Sequence, residues 1–241
     1  MLPAAANPFR ALASLLYPTL CAVCLEPVDE CAYLCAVCRT NAPRIKPPFC
    51  ATCSEPFEGD ITGTFSCANC AHRELHFECA VAAFRSRGIV RKLVHEFKYS
   101  SQLHLRRPIA EWLSETLDDP RLHGRRFDMV VPVPLHPARK RERGFNQAEA
   151  LAELFCARAG LPMMTALERI RYTTTQTAFD RAERMENLRD AFRLRAKTNV
   201  QGLRVLLIDD VLTTGSTLSE CARVLKLAGA ISVHAATAAR A

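Results

Sequence analysis

Apolar and polar positions along the chain follow two periods. Continuous apolar stretches suit strands buried on both faces, and they occur at Ala80–Ser86, Phe127–Val133, Leu203–Ile208 and Ile231–Ala235. Between them the period becomes helical. Val90, Leu93, Val94 and Phe97 form one stripe ending at Lys98-Tyr99, and a second helix over about Leu103–Leu117 carries the only tryptophan, Trp112. Ala148, Leu151, Ala152 and Phe155 form another stripe, with Asn146 and Glu149 spaced as caps and Gly160 just past its end. Leu218, Cys221, Ala222, Leu225 and Ala228 make the last, with Thr217 and Glu220 spaced as a capping box and Gly229 as the stop. Strands alternating with helices predict a doubly wound, mainly parallel α/β sheet, with ligands held at the strands' carboxyl ends.

Two stretches fall outside this alternation. Residues 7–16 read as a short amphipathic helix packed on its own protein, capped by Asn7 with Pro8 at the first helical position. Arg171–Gln176 has strand propensity but few core residues, and Ala178–Leu188 carries charges around Arg181, Arg184 and Asn187. That mixture predicts a mobile flap.

Composition narrows the class. The chain has 241 residues, 49% of them hydrophobic, enough for one α/β domain and a small appendage. Its apolar runs are too short to span a bilayer. Pro3, Pro8, Arg10 and Pro18 break up the first twenty residues, so no signal peptide is expected and a cytoplasmic location is. The net charge of +7 divides as −3 over residues 1–80 and +10 over residues 81–241. The positive field over the sheet-forming part suits a polyphosphate or a nucleic acid.

Eight of the twelve cysteines form Cys-x-x-Cys pairs: Cys21/Cys24, Cys35/Cys38, Cys50/Cys53 and Cys67/Cys70. Each pair is spaced to present two thiolates to one tetrahedral zinc, so four pairs predict two structural zinc ribbons. Disulfides or isolated redox pairs are the alternative, which a cytosolic setting disfavours. Pairing of sequence neighbours is simplest, and a crossed arrangement remains open. Glycine often follows the second cysteine of such a knuckle; Leu25, Arg39, Ser54 and Ala71 stand there instead. Cys31 and Cys79 are unpaired by spacing, Cys31 being placed to compete with Cys35, and His72 and His76 read as surface residues.

Two stretches carry candidate chemistry. In Val205–Thr217 a buried strand ends at Asp209 and Asp210 and passes through Thr213, Thr214, Gly215, Ser216 and Thr217 into a helix. Backbone N–H groups at a helix start, with hydroxyls beside them, hold a phosphate. Paired carboxylates accept hydrogen bonds from neighbouring sugar hydroxyls. The plain alternative is a strand–turn–helix whose acids cap a solvated loop. The second stretch is Pro132-Val-Pro-Leu-His136, followed by Arg139, Lys140, Arg141 and Arg143. A charge run is usually a solvated face, but here it stands between a strand and a helix start.

The first stretch resembles the 5-phosphoribosyl-1-pyrophosphate (PRPP) motif of type I phosphoribosyltransferases, and neither a Walker loop nor a Gly-x-Gly-x-x-Gly turn. The wider order resembles the ComF (competence protein F) family over nearly the whole chain. That order is the cysteine pairs, Phe97-Lys98-Tyr99, Pro132–His136, Arg143-Gly-Phe-Asn-Gln147, Thr175-Gln176, Arg184 with Asn187, and Asp209–Gly215. The resemblance implies a type I phosphoribosyltransferase-like parallel sheet flanked by helices, with an N-terminal double zinc ribbon. The expected division is residues 1–78 for the N-terminal helix and ribbons, and 79–241 for the transferase-like domain. It implies that Asp209 and Asp210 hold ribose hydroxyls. Val211, Leu212 and Thr213–Thr217 would enclose the 5-phosphate, while Pro134, Leu135 and His136 with Arg139 and Arg143 would take Mg²⁺–pyrophosphate. Gln176 and Arg184 would belong to the flap. Chemistry would be displacement of pyrophosphate at ribose C1, in a protein linked to DNA uptake. Other readings are a non-catalytic adaptor gripping single-stranded DNA and a ribbon scaffold that docks a DNA-import helicase.

Overall fold

The computed structural model describes residues 19–29, 33–61, 63, 65–99, 102–172 and 188–241. The predicted helix at 7–16, Cys31, Gln176, Arg184 and most of the predicted flap lie outside them. The central sheet has four parallel strands in the order β1-β6-β5-β2: β1 Ala80–Arg85, β2 Met129–Pro132, β5 Arg204–Leu212 and β6 Ser232–Arg240. A small antiparallel pair, β3 Leu167–Arg169 and β4 Phe192–Leu194, stands beside it.

Helices cover both faces. On one, Val90, Leu93, Val94 and Phe97 of α3 (Gly88–Tyr99) pack with Trp112 of α4 (Arg106–Ser114) and Leu151 and Phe155 of α6 (Gln147–Ala159) against Val130, Leu206 and Ile208. On the other, Leu218, Cys221, Ala222 and Leu225 of α7 (Ser216–Leu227) pack against Val131, Val205 and Leu207. Adjacent residues of β5 serve opposite faces, which is why its run is uniformly apolar.

β5 and β6 run several residues past their expected ends. Asp209 and Asp210 lie inside β5 and do not terminate it, because the ladder to β6 continues through Asp209, Val211 and Leu212 and Lys98 pairs with the Asp210 carboxylate. The Thr217–Glu220 capping box is also absent. Helix α7 begins at Ser216 behind N-cap Gly215, and Glu220 accepts instead from Asp190 N and Arg223. The basic run forms its own short helix, α5 (Pro137–Arg143), ended by Gly144 at φ 78°.

The cysteines pair as sequence neighbours, Cys21/Cys24/Cys35/Cys38 and Cys50/Cys53/Cys67/Cys70, with the four Sγ atoms of each set within 4.8 Å of one another. Cys24–Cys35 and Cys53–Cys67 are each 3.6 Å apart. A Zn–S bond of 2.3 Å sets tetrahedral S···S edges at roughly 3.8 Å, so both tetrads fit zinc. Leu25 and Ser54, standing where glycine was expected, adopt the left-handed φ of 63° and 58°. Cys79 is a core residue whose thiol burial pushes up to about 11. His72 and His76 belong to neither tetrad. Two short helices, α1 (Ala36–Thr40) and α2 (Ala68–Ala71), carry the second knuckle of each ribbon.

The second ribbon is anchored to the sheet. Arg121 donates to the carbonyls of Cys50 and Ala51 and to Ser54 Oγ while its fork is held by Asp119. Ser54 Oγ in turn bridges Ala80 O and Ala82 N of β1. The outer edge of β1 is covered where Ile45 N donates to Ala83 O and Arg85 N to Pro43 O.

Candidate phosphoribosyl site

The site begins with two carboxylates on β5. Asp210 is 6% exposed, and Lys98 Nζ, at the last turn of α3, contacts its Oδ1 at 2.9 Å. Burial opposes the charge on Lys98, yet Asp210, followed by Asp209, holds its pKa above the usual lysine value. Asp209 Oδ1 accepts from Asp210 N at 2.9 Å. Burial of its carboxyl first, and then the charge of Asp210, push the Asp209 pKa up to about 7, against the pull of Lys98 and Arg169.

The chain then makes a tight loop. Thr213 is exposed, Thr214 Oγ1 and Ser216 Oγ are 2.9 Å apart, and Ser216 N donates to Thr214 Oγ1. Gly215 takes φ 79°, and a Cβ there would also meet the Phe77 ring at 3.4 Å. As N-cap it offers α7 no side-chain acceptor, leaving the anion-binding character of a helix start to the first-turn N–H groups. Thr217 lies within the first turn of α7. The Leu212 side chain belongs to the core, and its carbonyl accepts from Arg240.

The neighbouring strand β2, registered Pro132 to Ile208, brings in the second stretch. Past it, Pro134 and Leu135 lead to His136, whose Nδ1 accepts from Ala138 N at 3.2 Å and caps α5. Desolvation, then the charges of Arg169, Arg141 and Arg139, lower the His136 pKa and favour the neutral ring that this cap requires. Arg143 stacks 5.0 Å over Tyr99 and donates to Gln147 Oε1, and Arg139 lies 5.8 Å over Tyr172. A cavity of about 570 Å³ opens here, lined by Pro134, Leu135, Lys140, Arg141, Arg169 and Arg195.

Thus Asp209, Asp210 and the Thr213–Thr217 loop share one end of the sheet with Pro134–His136. Sequence reasoning missed four side chains near them: Lys98, Arg169 on β3, and Asn69 and Arg73 of the second ribbon. In the sequence Lys98 marks only the end of a helical stripe, and for the others no local pattern distinguishes the residue.

A model of the phosphoribosyl transferase domain matches residues 101–241, and one of the double zinc ribbon domain matches residues 12–71. The chain is 32% identical over 229 residues to DNA utilization protein YhgH of Escherichia coli (strain K12), covering 90% of this chain and 95% of that one. It is 29% identical over 211 residues to competence protein F of Haemophilus influenzae, covering 82% of this chain and 92% of that one. The chain belongs to the competence protein F family. With competence protein ComFC of Streptococcus pneumoniae, identity is 29% over 75% of this chain and 82% of that one. In this family member the transferase-type domain contains every element of the site except α3, with its Lys98, and the second ribbon. Among the described residues no helix is long and apolar enough to cross a membrane.

Proposed function

We propose that this competence protein F family member binds PRPP with Mg²⁺ across the ends of β5 and β2 and transfers its phosphoribosyl group. The observation that carries the reading is the juxtaposition of an acidic pair, a Thr-Thr-Gly-Ser-Thr helix start and a basic loop on adjacent parallel strands. The donor set suits the ligand's three parts. Asp209 and Asp210 accept hydrogen bonds from the ribose hydroxyls, and Lys98, 2.9 Å from Asp210, keeps that carboxylate oriented. Thr213, Thr214, Ser216 and Thr217 with the α7 amides receive the 5-phosphate. The Pro134–His136 backbone, Arg139 and Arg143 receive the pyrophosphate, which Mg²⁺, when bound with PRPP, would partly neutralise as a leaving group.

Displacement at C1 passes through a cation-like sugar, and Asp210, paired with Lys98, supplies negative charge beside it, joined by Asp209 once that carboxyl is ionised. Among the described residues no side chain stands out as a general base, so the acceptor would bring its own nucleophilic nitrogen. Gln176 and Arg184 are proposed to close over the site and exclude water. A cytoplasmic role in handling DNA, beside a DNA-import helicase, belongs to the same proposal; the relatives' names speak of competence and of DNA utilization. We read the ribbons as residues 1–78 and the transferase domain as 79–241.

Titration with Mg²⁺–PRPP and with single-stranded DNA at one fixed salt concentration tests the pyrophosphate half. Arg139→Ala with Arg143→Ala should weaken PRPP binding about tenfold or more, since bonds to charged groups are worth ~1.5–3 kcal/mol. Unchanged PRPP affinity, with a loss confined to DNA, would return these arginines to a nucleic-acid surface.

A further inference from the structure

We infer that Asn69 and Arg73 make the second zinc ribbon a positioning element of the phosphate loop, acting through Thr214 and Ser216. This rests on the phosphoribosyl reading of that loop. Asn69 is 8% exposed and stands on α2, between the ligands Cys67 and Cys70. Its Nδ2 donates to Thr214 O at 3.1 Å, and its Oδ1 accepts from Arg73 Nη1 at 2.7 Å. That same Nη1 donates to Thr214 O at 3.0 Å, while Nη2 donates to Ser216 Oγ at 2.9 Å. Nearby, His76 N donates to Ser219 Oγ at 3.1 Å, and the Phe77 ring closes on Gly215.

The chemistry of these bonds defines the role. Two donors on Thr214 O fix the peptide that leads into the left-handed Gly215. Ser216 Oγ has one proton and two acceptor sites, and Arg73 occupies an acceptor site. The hydroxyl pair Thr214–Ser216 then holds one proton between its oxygens, and the other is free to donate outward. Arg73 thereby biases the loop towards donating to an anion, and its own charge stands behind the hydroxyls. A forked guanidinium reaches both loop atoms at once, which a lysine ammonium does not reproduce. These contacts are to the sugar-phosphate half of the site, whereas Pro134–His136 follows the end of the neighbouring strand β2.

The test uses the full zinc-loaded chain, with zinc content and circular dichroism checked for every variant. Ribose 5-phosphate, PRPP with Mg²⁺, and inorganic pyrophosphate with Mg²⁺ are titrated in turn. Arg73→Ala should weaken ribose 5-phosphate and PRPP by a common factor of about tenfold or more and leave pyrophosphate unchanged. Arg73→Lys should recover only part of the loss, and Asn69→Ala should show a smaller loss of the same selectivity. These two variants carry the test if Arg73→Ala fails to fold. Unchanged affinities, or equal losses for all three ligands, would overturn the inference. Amide exchange of residues 213–217 without ligand adds a readout independent of the functional reading. If the wild type binds neither sugar phosphate, that reading falls and exchange decides: faster exchange at the loop in Arg73→Ala supports positioning, and unaltered exchange overturns it.

Discussion

Asp209 and Asp210 are neighbours in sequence and different in chemistry. Asp210 has Lys98 at 2.9 Å, whereas Asp209 faces burial and its neighbour's charge. A carboxyl with a folded pKa of about 7, raised from 3.8, favours its protonated form in the folded state. Its contribution to stability is therefore complete below pH ~4 and lost as the pH rises through ~7, because the folded chain then binds more protons than the unfolded one. Asp209→Asn removes that dependence. Melting of the ligand-free protein from about pH 4 to 7 should show the variant gaining on wild type as pH rises, with the difference levelling off above ~7.5, and parallel curves between pH ~4 and ~7 would contradict the raised pKa. The type and place of these residues were legible in the sequence, since two acids closing an apolar run are conspicuous. Their unequal environments were not, because Lys98 arrives from a helix far away in the chain.

At the scale of elements, legibility followed the length of each hydrophobic pattern. The stripes of α3, α6 and α7 and the run of β5 were plain, because each buries a continuous face. β3 and β4 have three residues each, too few for a period, and α5 has no buried residue, so its charges masked a helix closed by His136 and Gly144. The knuckles were legible from cysteine spacing alone, although Leu25 and Ser54 bear the positive φ usually left to glycine. Their attachment was not, for Arg121, Asn69 and Arg73 belong to no repeating pattern. Cys50, Cys53, Cys67 and Cys70 share a buried cluster with Leu218, Cys221, Ala222 and Leu225 of α7. Elemental analysis should therefore find two zinc ions per chain. Chelation should raise amide exchange first in the ribbons and next at the start of α7, because zinc binding contributes to folding. Absence of zinc, or chelation that leaves α7 as protected as before, would contradict this arrangement.

Across the whole molecule, the ribbons and the transferase-type domain form joined parts of one structure. The first tetrad packs with the face built by α3, α4 and α6, and the second with the face built by α7. The sheet's carboxyl end then collects charges of both signs from distant parts of the chain: acids from β5, bases from α3, α5 and β3. The overall charge of +7 suits an anionic partner, and acids set within that field match the sugar phosphate proposed as ligand. The most direct measurement of this reading is titration of wild type and the Asp209→Asn, Asp210→Asn double variant with Mg²⁺–PRPP. Above pH ~8, where Asp209 is ionised, the double variant removes both charges and keeps both shapes, and circular dichroism establishes that the fold persists. Affinity should fall about one hundredfold or more, from two charge-assisted interactions of ~1.5–3 kcal/mol each that roughly add. Equal PRPP affinity in two folded proteins would show that these carboxylates do not grip the ribose.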